Sequence, residues 1–179
     1  GVLLTSLTGR HDVVFGTVLL GRMNSGAGSD RALGMFINTL PVRAQVVADA
    51  PGVVDAVREM HGQLARLLVH EHASLGLAQQ ASGVRAPAPL FTSLLDYRHS
   101  PAGGSAGGGG LEGVEVLNAR DVTNYPLSVA VDDTGSGFVL SAQTVSTIDP
   151  DSVCAMVHTV TGHVVAALES GAKTPLDRV

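Results

Sequence analysis

The chain has 179 residues, enough for one domain with a sizeable core or for one lobe of a larger domain. Its net charge of −5 argues against a nucleic-acid or anionic-membrane surface, and 3% aromatic residues without Trp argue against a base-stacking platform. The single cysteine, Cys154, excludes a disulfide framework and a cysteine-based metal site. We find no signal peptide and no apolar run of about 18 residues, so we expect a cytoplasmic protein without a membrane partner.

The first residues predict the end of a helix and then a strand. "GVLLTSLTGRHD" reads as the last turns of a helix already under way, with Gly9 as its stop signal. Since there is no initiating Met, we expect either a trimmed N-terminus or a piece of a longer chain. "DVVFGTVLLG", residues 12–21, is nearly all apolar without alternation, which is typical of a strand covered on both faces.

A second strand and a long helix follow a loop rich in Gly, Ser and Asn. "MFINTLPVRAQVV" has strand character. In the next stretch apolar residues recur at alternating spacings of four and three, which predicts one face of a helix. Asp49 and Pro51 mark its start, and we expect its end near His72. The members of the apolar face are Val53, Val57, Met60, Leu64 and Leu67.

The second half predicts more strands and a closing helix. "SLLDYR" is a short strand, and the Gly-rich stretch at about 100–110 is a flexible loop. "GVEVLNAR", "YPLSVAVDD" and "GFVLSAQTV" are further strand candidates, the last two forming a hairpin around "DTGS". Asp149 and Pro150 begin the final helix and Gly171 ends it. Its apolar stripe consists of Val153, Met156, Val157, Val160, Val164 and Leu168.

This order of elements defines the expected fold class. Helix end, strand, strand, helix, strand, hairpin and helix predict an α/β two-layer sandwich, with a mixed sheet and helices mainly on one face. No internal repeat is present.

The histidines do not form a convincing metal site. His70 and His72 in "HEH" are two residues apart, so on a helix they point about 200° apart and cannot share an ion. We expect a solvated helix end there. His158 and His163 are five residues apart and share a face poorly, and His61 lies at the flank of the first long helix.

No motif of the sequence identifies a catalytic set or a bound cofactor. A Ser–His–Asp set cannot be recognised from residue order, and "GTVLLG" lacks a Gly-x-Ser-x-Gly elbow. "GAGSDRALG" lacks the Lys–Ser/Thr of a phosphate-binding loop. "GGSAGGGG" resembles a linker, because no strand leads into it and no helix leaves it.

Asn38 stands inside an apolar run, and a buried amide needs partners for its carbonyl and its NH₂. Two interpretations remain open from the residues. Asn38 is a structural clamp that bonds to the backbone of a neighbouring loop, or it is a polar group that lines a channel.

Several stretches, taken in order, resemble the C-terminal half of the condensation domains of nonribosomal peptide synthetases. "VVFGTVLLGR" precedes "LGMFINTLPVR", which is similar to the family form Gly-x-Phe-x-Asn-Thr-x-x-x-Arg. "HEHASLGLAQQASG", "RAPAPLFTSLLDYR", "TNYPLSVAVDD" and the closing Asp-Pro helix also resemble family regions, so the resemblance covers nearly the whole chain.

Two departures from the family pattern leave the subtype open. Residues 72–75 replace the usual Asp-x-Pro-Phe, and the segment with Arg85, Pro89, Leu90 and Phe91 lacks the usual Asn and Ser. Ordinary condensation, dual epimerisation–condensation, and epimerisation or interface domains all remain candidates.

The resemblance implies a chloramphenicol-acetyltransferase-like fold, with two lobes in a V around a tunnel. Residues 1–179 would be a single C-terminal lobe that packs on the N-terminal lobe and docks donor and acceptor carrier proteins. Substrates would arrive on the phosphopantetheine arms of these carriers, with no cofactor or metal bound directly.

The family's catalytic His-His-x-x-x-Asp-Gly motif belongs to the N-terminal lobe, and this chain has no adjacent His-His pair. We therefore expect no catalytic residue here and no activity from the chain alone. Arg43 would hold the strand end or an acidic partner. The positions that the resemblance implies for the tunnel or lobe junction are Phe15, Gly16, Thr17, Gly34, Phe36, Asn38, Thr39 and Arg43.

Two other classes of function remain alternatives. The chain could be a lobe of a stand-alone CoA-dependent acyltransferase, or a non-catalytic module that recruits a partner to a synthetase. If it is one lobe of two, its surface should carry an apolar patch larger than a typical monomer shows.

Overall fold

The computed structural model describes residues 1–22, 28, 33–46, 52–99, 117, 122–171 and 174–176. The predicted flexible loop at 100–110 and the predicted strand at 113–120, apart from Leu117, lie outside these ranges. The helices are α1 (Val2–Thr8), α2 (Val53–Val69), α3 (Leu75–Ala81) and α4 (Pro150–Glu169). The strands are β1 (Asp12–Leu19), β2 (Asn38–Gln45), β3 (Ser93–His99), β4 (Leu127–Asp133) and β5 (Phe138–Thr144).

The five described strands form one mixed sheet in the order β2-β1-β3-β4-β5. β1 pairs with β2 and β4 with β5 in antiparallel fashion, whereas β3 runs parallel to both of its neighbours. The hairpin predicted from "DTGS" is confirmed, since Asp133 pairs with Phe138. The prediction of a mixed α/β sheet is therefore confirmed.

The core lies between this sheet and the helices on one of its faces. Val13, Phe15 and Val42 are buried there, and side chains from α1, α2 and β3 pack against them. Because residues alternate between faces along a strand, Phe15 faces the helices while Gly16 faces the opposite side. Fully burying one such aliphatic side chain contributes about 1.5–3 kcal/mol, so this layer holds the helices on the sheet.

The ends of the helices largely agree with the sequence signals. α1 ends before Gly9, which adopts a left-handed φ of 66°. The Asp149 side chain accepts a hydrogen bond from the Ser152 N–H and caps α4, with Pro150 in its first turn. By length and composition alone α4 could cross a membrane, which differs from our expectation of no such run. On its apolar stripe, Val164 packs against a buried cluster that includes Val53 of α2. Val153 of the same stripe lines a cavity beside the sheet.

Two parts of the secondary structure differ from the predictions. β2 begins at Asn38, so Met35 and Ile37 precede the strand instead of belonging to it. α3 was not predicted, because it is only seven residues long and contains a glycine. Its start is nevertheless marked by Ser74, whose hydroxyl accepts a hydrogen bond from the Leu77 N–H.

Candidate functional site

Asn38 fastens the start of β2 to the turn that follows α2. Its Nδ2 donates to the carbonyl oxygens of Glu71 and Ala73, each at 2.8 Å. Its Oδ1 accepts from the Thr39 N–H at 2.9 Å. The amide thus uses both of its donor hydrogens and one acceptor site. The prediction that Asn38 clamps the backbone of a neighbouring loop is confirmed by the two bonds to Glu71 and Ala73.

The turn that Asn38 holds contains the "HEH" sequence, and one part of our prediction for it is wrong. We expected a solvated helix end, but the Glu71 side chain is only 1% exposed. α2 ends at Val69, and the chain then bends so that Glu71 points inward while the His72 side chain stays 60% exposed. Helical periodicity could not show this, because the reversal begins after the helix has ended. Among the described residues, no group of three His, Cys, Asp or Glu side chains is placed to hold a metal.

An exposed apolar segment leads into the clamp. The side chains of Leu33 and Met35 are fully exposed, and Ile37 is 69% exposed. Phe36 points elsewhere, since the guanidinium carbon of Arg22 lies 5.0 Å from its ring centroid. A Cβ on Gly34 would approach that ring to 2.8 Å. Phe36 therefore contacts the residues after β1, and its apolar neighbours face away from the described structure.

The three predicted residues of β1 do not line one surface. Phe15 and Thr17 are buried on the face that the helices cover. Gly16 lies on the other face beneath the ring of Phe91, where an added Cβ would come within 2.4 Å of that ring. Phe91 in turn stacks on Tyr125 with ring centroids 5.5 Å apart. Only glycine fits at position 16 without displacing this aromatic pair.

Arg43 has the acidic partner that we proposed as one of its two roles. Its Nε and Nη2 donate to the two carboxylate oxygens of Asp12 at 2.9 and 2.6 Å. The pair joins the start of β1 to the last residues of β2. The hydrogen bonds from Arg43 lower the pKa of Asp12 and raise that of Arg43. Because both side chains are substantially exposed, the pair adds little stability.

One polar cluster was not found from the sequence. The Oδ2 of Asp133 accepts the Tyr97 hydroxyl at 2.7 Å and lies 3.0 Å from the Nδ1 of His99. Its Oδ1 accepts the N–H of Gly135 at 2.9 Å, and this backbone bond is the largest cause of the lowered pKa of Asp133. The cluster depends on the parallel register that sets His99 beside Asp133, which neither strand's own pattern reveals. It joins β3 to β4 at their ends.

A cavity of about 370 Å³ lies between α1, α4 and the sheet. It is lined mainly by aliphatic side chains from these elements, with Ser93 and Thr161 as the hydroxyl-bearing residues. Among the lining residues that the structure describes, there is no acid–base pair and no nucleophile with an adjacent base.

Comparisons with known proteins identify the family of this chain. The family model described as "Condensation domain" matches residues 1–168. Malpinin synthetase of Mortierella alpina is 45% identical over 169 residues, which are 94% of this chain and 2% of that protein. The chain therefore belongs to the condensation-domain family of nonribosomal peptide synthetases.

Solved structures show the same fold. The starter condensation domain of rhizomide synthetase, a mutant in complex with C8-CoA and Leu-SNAC, matches 99% of this chain with a TM-score of 0.69 and 19% identity. This chain spans 40% of that structure. The four-domain nonribosomal peptide synthetase AB3403 matches 99% of the chain with a TM-score of 0.68 and 15% identity, over 15% of its own length.

Proposed function

We propose that residues 1–179 form the C-terminal lobe of a condensation domain that joins carrier-bound substrates through an amide bond. The lobe supplies one wall of the substrate tunnel and part of the surface on which carrier proteins dock. The phosphopantetheine arms of a donor and an acceptor carrier bring the acyl or peptidyl group and the aminoacyl group. We place this reaction in the cytoplasm, without nucleic acid or membrane.

The exposed apolar segment before Asn38 carries this proposal. Leu33, Met35 and Ile37 alternate along the chain and present their side chains to solvent, which is costly for an isolated surface. The chain spans about two-fifths of the solved starter condensation domain. The remainder of such a domain is the partner that would bury these side chains, and the N-terminal lobe is our candidate for it.

The chemistry assigns this lobe a positioning role. In the coupling step the acceptor amine attacks the donor thioester carbonyl, the C–N bond forms, and the carrier thiol leaves with the proton that the amine gives up. Holding two tethered groups together supplies much of the acceleration. The histidine that orients or deprotonates the amine belongs to the other lobe in this proposal, since the present sequence has no adjacent His-His pair.

The residues that we predicted for the tunnel or lobe junction have different functions in this proposal. Asn38 and Thr39 hold the junction between the apolar segment and the sheet, and Gly34 and Phe36 shape the segment itself. Phe15, Gly16 and Thr17 form the strand at the tunnel floor and act through its position. Arg43 fixes the strand end through Asp12.

A coupling assay with loaded donor and acceptor carriers tests the proposal. We expect no amide product from residues 1–179, with folding verified by circular dichroism, and product from the complete condensation domain. In that domain, Met35→Glu should abolish coupling because it places a charge in the junction between the lobes. Gln143→Glu, at an exposed polar position on β5, should leave coupling intact. Amide formation by the folded 179-residue chain alone would refute the proposal.

A further inference from the structure

The two edges of the sheet differ in how their backbone donors are used. β2 forms one edge of the described sheet and β5 forms the other. Exposed edge strands invite pairing with another chain, and proteins commonly block them with proline, charge or covering elements. Most of the outward positions of β2 are blocked.

The hydrogen-bonding pattern identifies which groups of β2 point outward. The Val46 N–H donates to the His11 carbonyl, toward β1. Because antiparallel pairs alternate, the backbone groups of residues 39, 41, 43 and 45 point away from β1. The N–H groups at these positions are the donors that an incoming strand would use.

Three of the four outward positions offer no free donor. The Thr39 N–H donates to Asn38 Oδ1 at 2.9 Å. Pro41 has no N–H, which suits an edge position. The Arg43 N–H donates to Gln63 Oε1 at 3.0 Å, and the Arg43 carbonyl accepts from Gln63 Nε2 at 2.9 Å.

The side-chain amide of Gln63 takes the place of a neighbouring strand beside Arg43. Its amide donates to and accepts from one backbone residue, as a residue of a neighbouring strand does. α2 carries Gln63, so the helix that covers the sheet also closes its edge. The outward backbone groups of β5, at Phe138, Leu140, Ala142 and Thr144, have no such partner within the described ranges.

We propose that Gln63, Pro41 and Asn38 form a guard that closes the outer edge of β2 to strand addition. The guard keeps this edge from pairing with a second copy of the chain, which would otherwise meet consecutive free donors and acceptors. Gln63 is a positioning residue for the backbone of Arg43. This role is independent of the proposed coupling function.

Hydrogen exchange in the complete protein tests the role of Gln63. In Gln63→Ala the Arg43 N–H should exchange at least about tenfold faster, because the hydrogen bond that it donates to Gln63 Oε1 is gone. Gln63→Glu keeps an acceptor and should have a smaller effect. Arg66→Ala removes an exposed side chain from the same helix and should leave the exchange at Arg43 unchanged. Equal exchange in the unmodified protein and Gln63→Ala would overturn the proposal.

Self-association tests the guard as a whole. The double variant Gln63→Ala with Pro41→Thr restores the outward donors at positions 41 and 43. Sedimentation velocity should show dimers, with exchange protection at positions 41 and 43 that rises with protein concentration. Pro41→Thr alone should remain monomeric because Gln63 still covers Arg43. A folded double variant that stays monomeric, without concentration-dependent protection, would overturn the proposal. If it does not fold, exchange in Gln63→Ala decides.

Discussion

The segment from Leu33 to Arg43 consists of two halves that look alike in sequence and behave oppositely in structure. Leu33 and Met35 are fully exposed, whereas Leu40 is 2% exposed and Val42 is completely buried. Asn38 lies at the boundary and bonds to the turn after α2. The comparison shows that one apolar run can pack into the core in one half and stay exposed to solvent in the other.

The largest difference between the halves should appear when the same substitution is made in each. Leu40→Ala should lower the free energy of unfolding of the chain by about 2–5 kcal/mol, because it leaves a cavity in the core. Leu33→Ala is the matched control and should change it by less than about 0.5 kcal/mol. Chemical denaturation of both variants measures the difference. Similar losses of unfolding free energy in the two variants would mean that both halves of the segment contribute equally to the core.

A substitution at the boundary residue Asn38 should lower the free energy of unfolding less than one in the core, but more than one at the surface. Asn38→Ala should lower the free energy of unfolding by about 1–3 kcal/mol, because two carbonyl groups and the Thr39 N–H lose a partner. Gln143→Ala, at an exposed amide on β5, is the control and should be nearly neutral. If Asn38→Ala left the complete domain fully stable but impaired its coupling, Asn38 would belong to the tunnel instead.

The Asp12–Arg43 pair near the end of β2 should make the free energy of unfolding depend slightly on pH. The pKa of Asp12 in the folded chain lies below its ordinary value of 3.8, chiefly because Arg43 donates hydrogen bonds to it. Its contribution to stability is therefore fully present above that value and is lost as the pH falls through the lower, folded pKa.

Denaturation across this acidic range should show a shallower loss of stability for Asp12→Asn than for the unmodified chain. The difference should shrink in concentrated salt, which screens an exposed pair. Identical curves for the two proteins would remove the Asp12–Arg43 pair from the account of how β2 is held.

Local signals in the sequence predicted much of this structure. Gly9, Asp149 and Pro150 marked the ends of helices correctly, because capping depends on residues within one turn of each other. The hairpin between β4 and β5 followed from its turn residues. The partner of Asn38 could not be predicted, since it lies 33 residues away and depends on how α2 packs.

The sequence also could not separate the two halves of the apolar segment. Met35 and Val42 are both apolar, and the position where β2 joins the sheet decides which of them is buried. For the same reason the burial of Glu71 was missed: the turn that directs it inward is fixed by bonds from Asn38. Contacts between distant segments decided these features.

The oxidation rate of Met35 tests most directly whether the exposed half is a junction between lobes. Thioether oxidation follows solvent exposure, and the Met35 side chain is fully exposed in residues 1–179. With dilute peroxide and peptide mass spectrometry, Met35 should oxidise at least about tenfold more slowly in the complete condensation domain than in the 179-residue chain. Met60, partly buried against the core, should react similarly in both. Equal oxidation of Met35 in the two proteins would contradict the account.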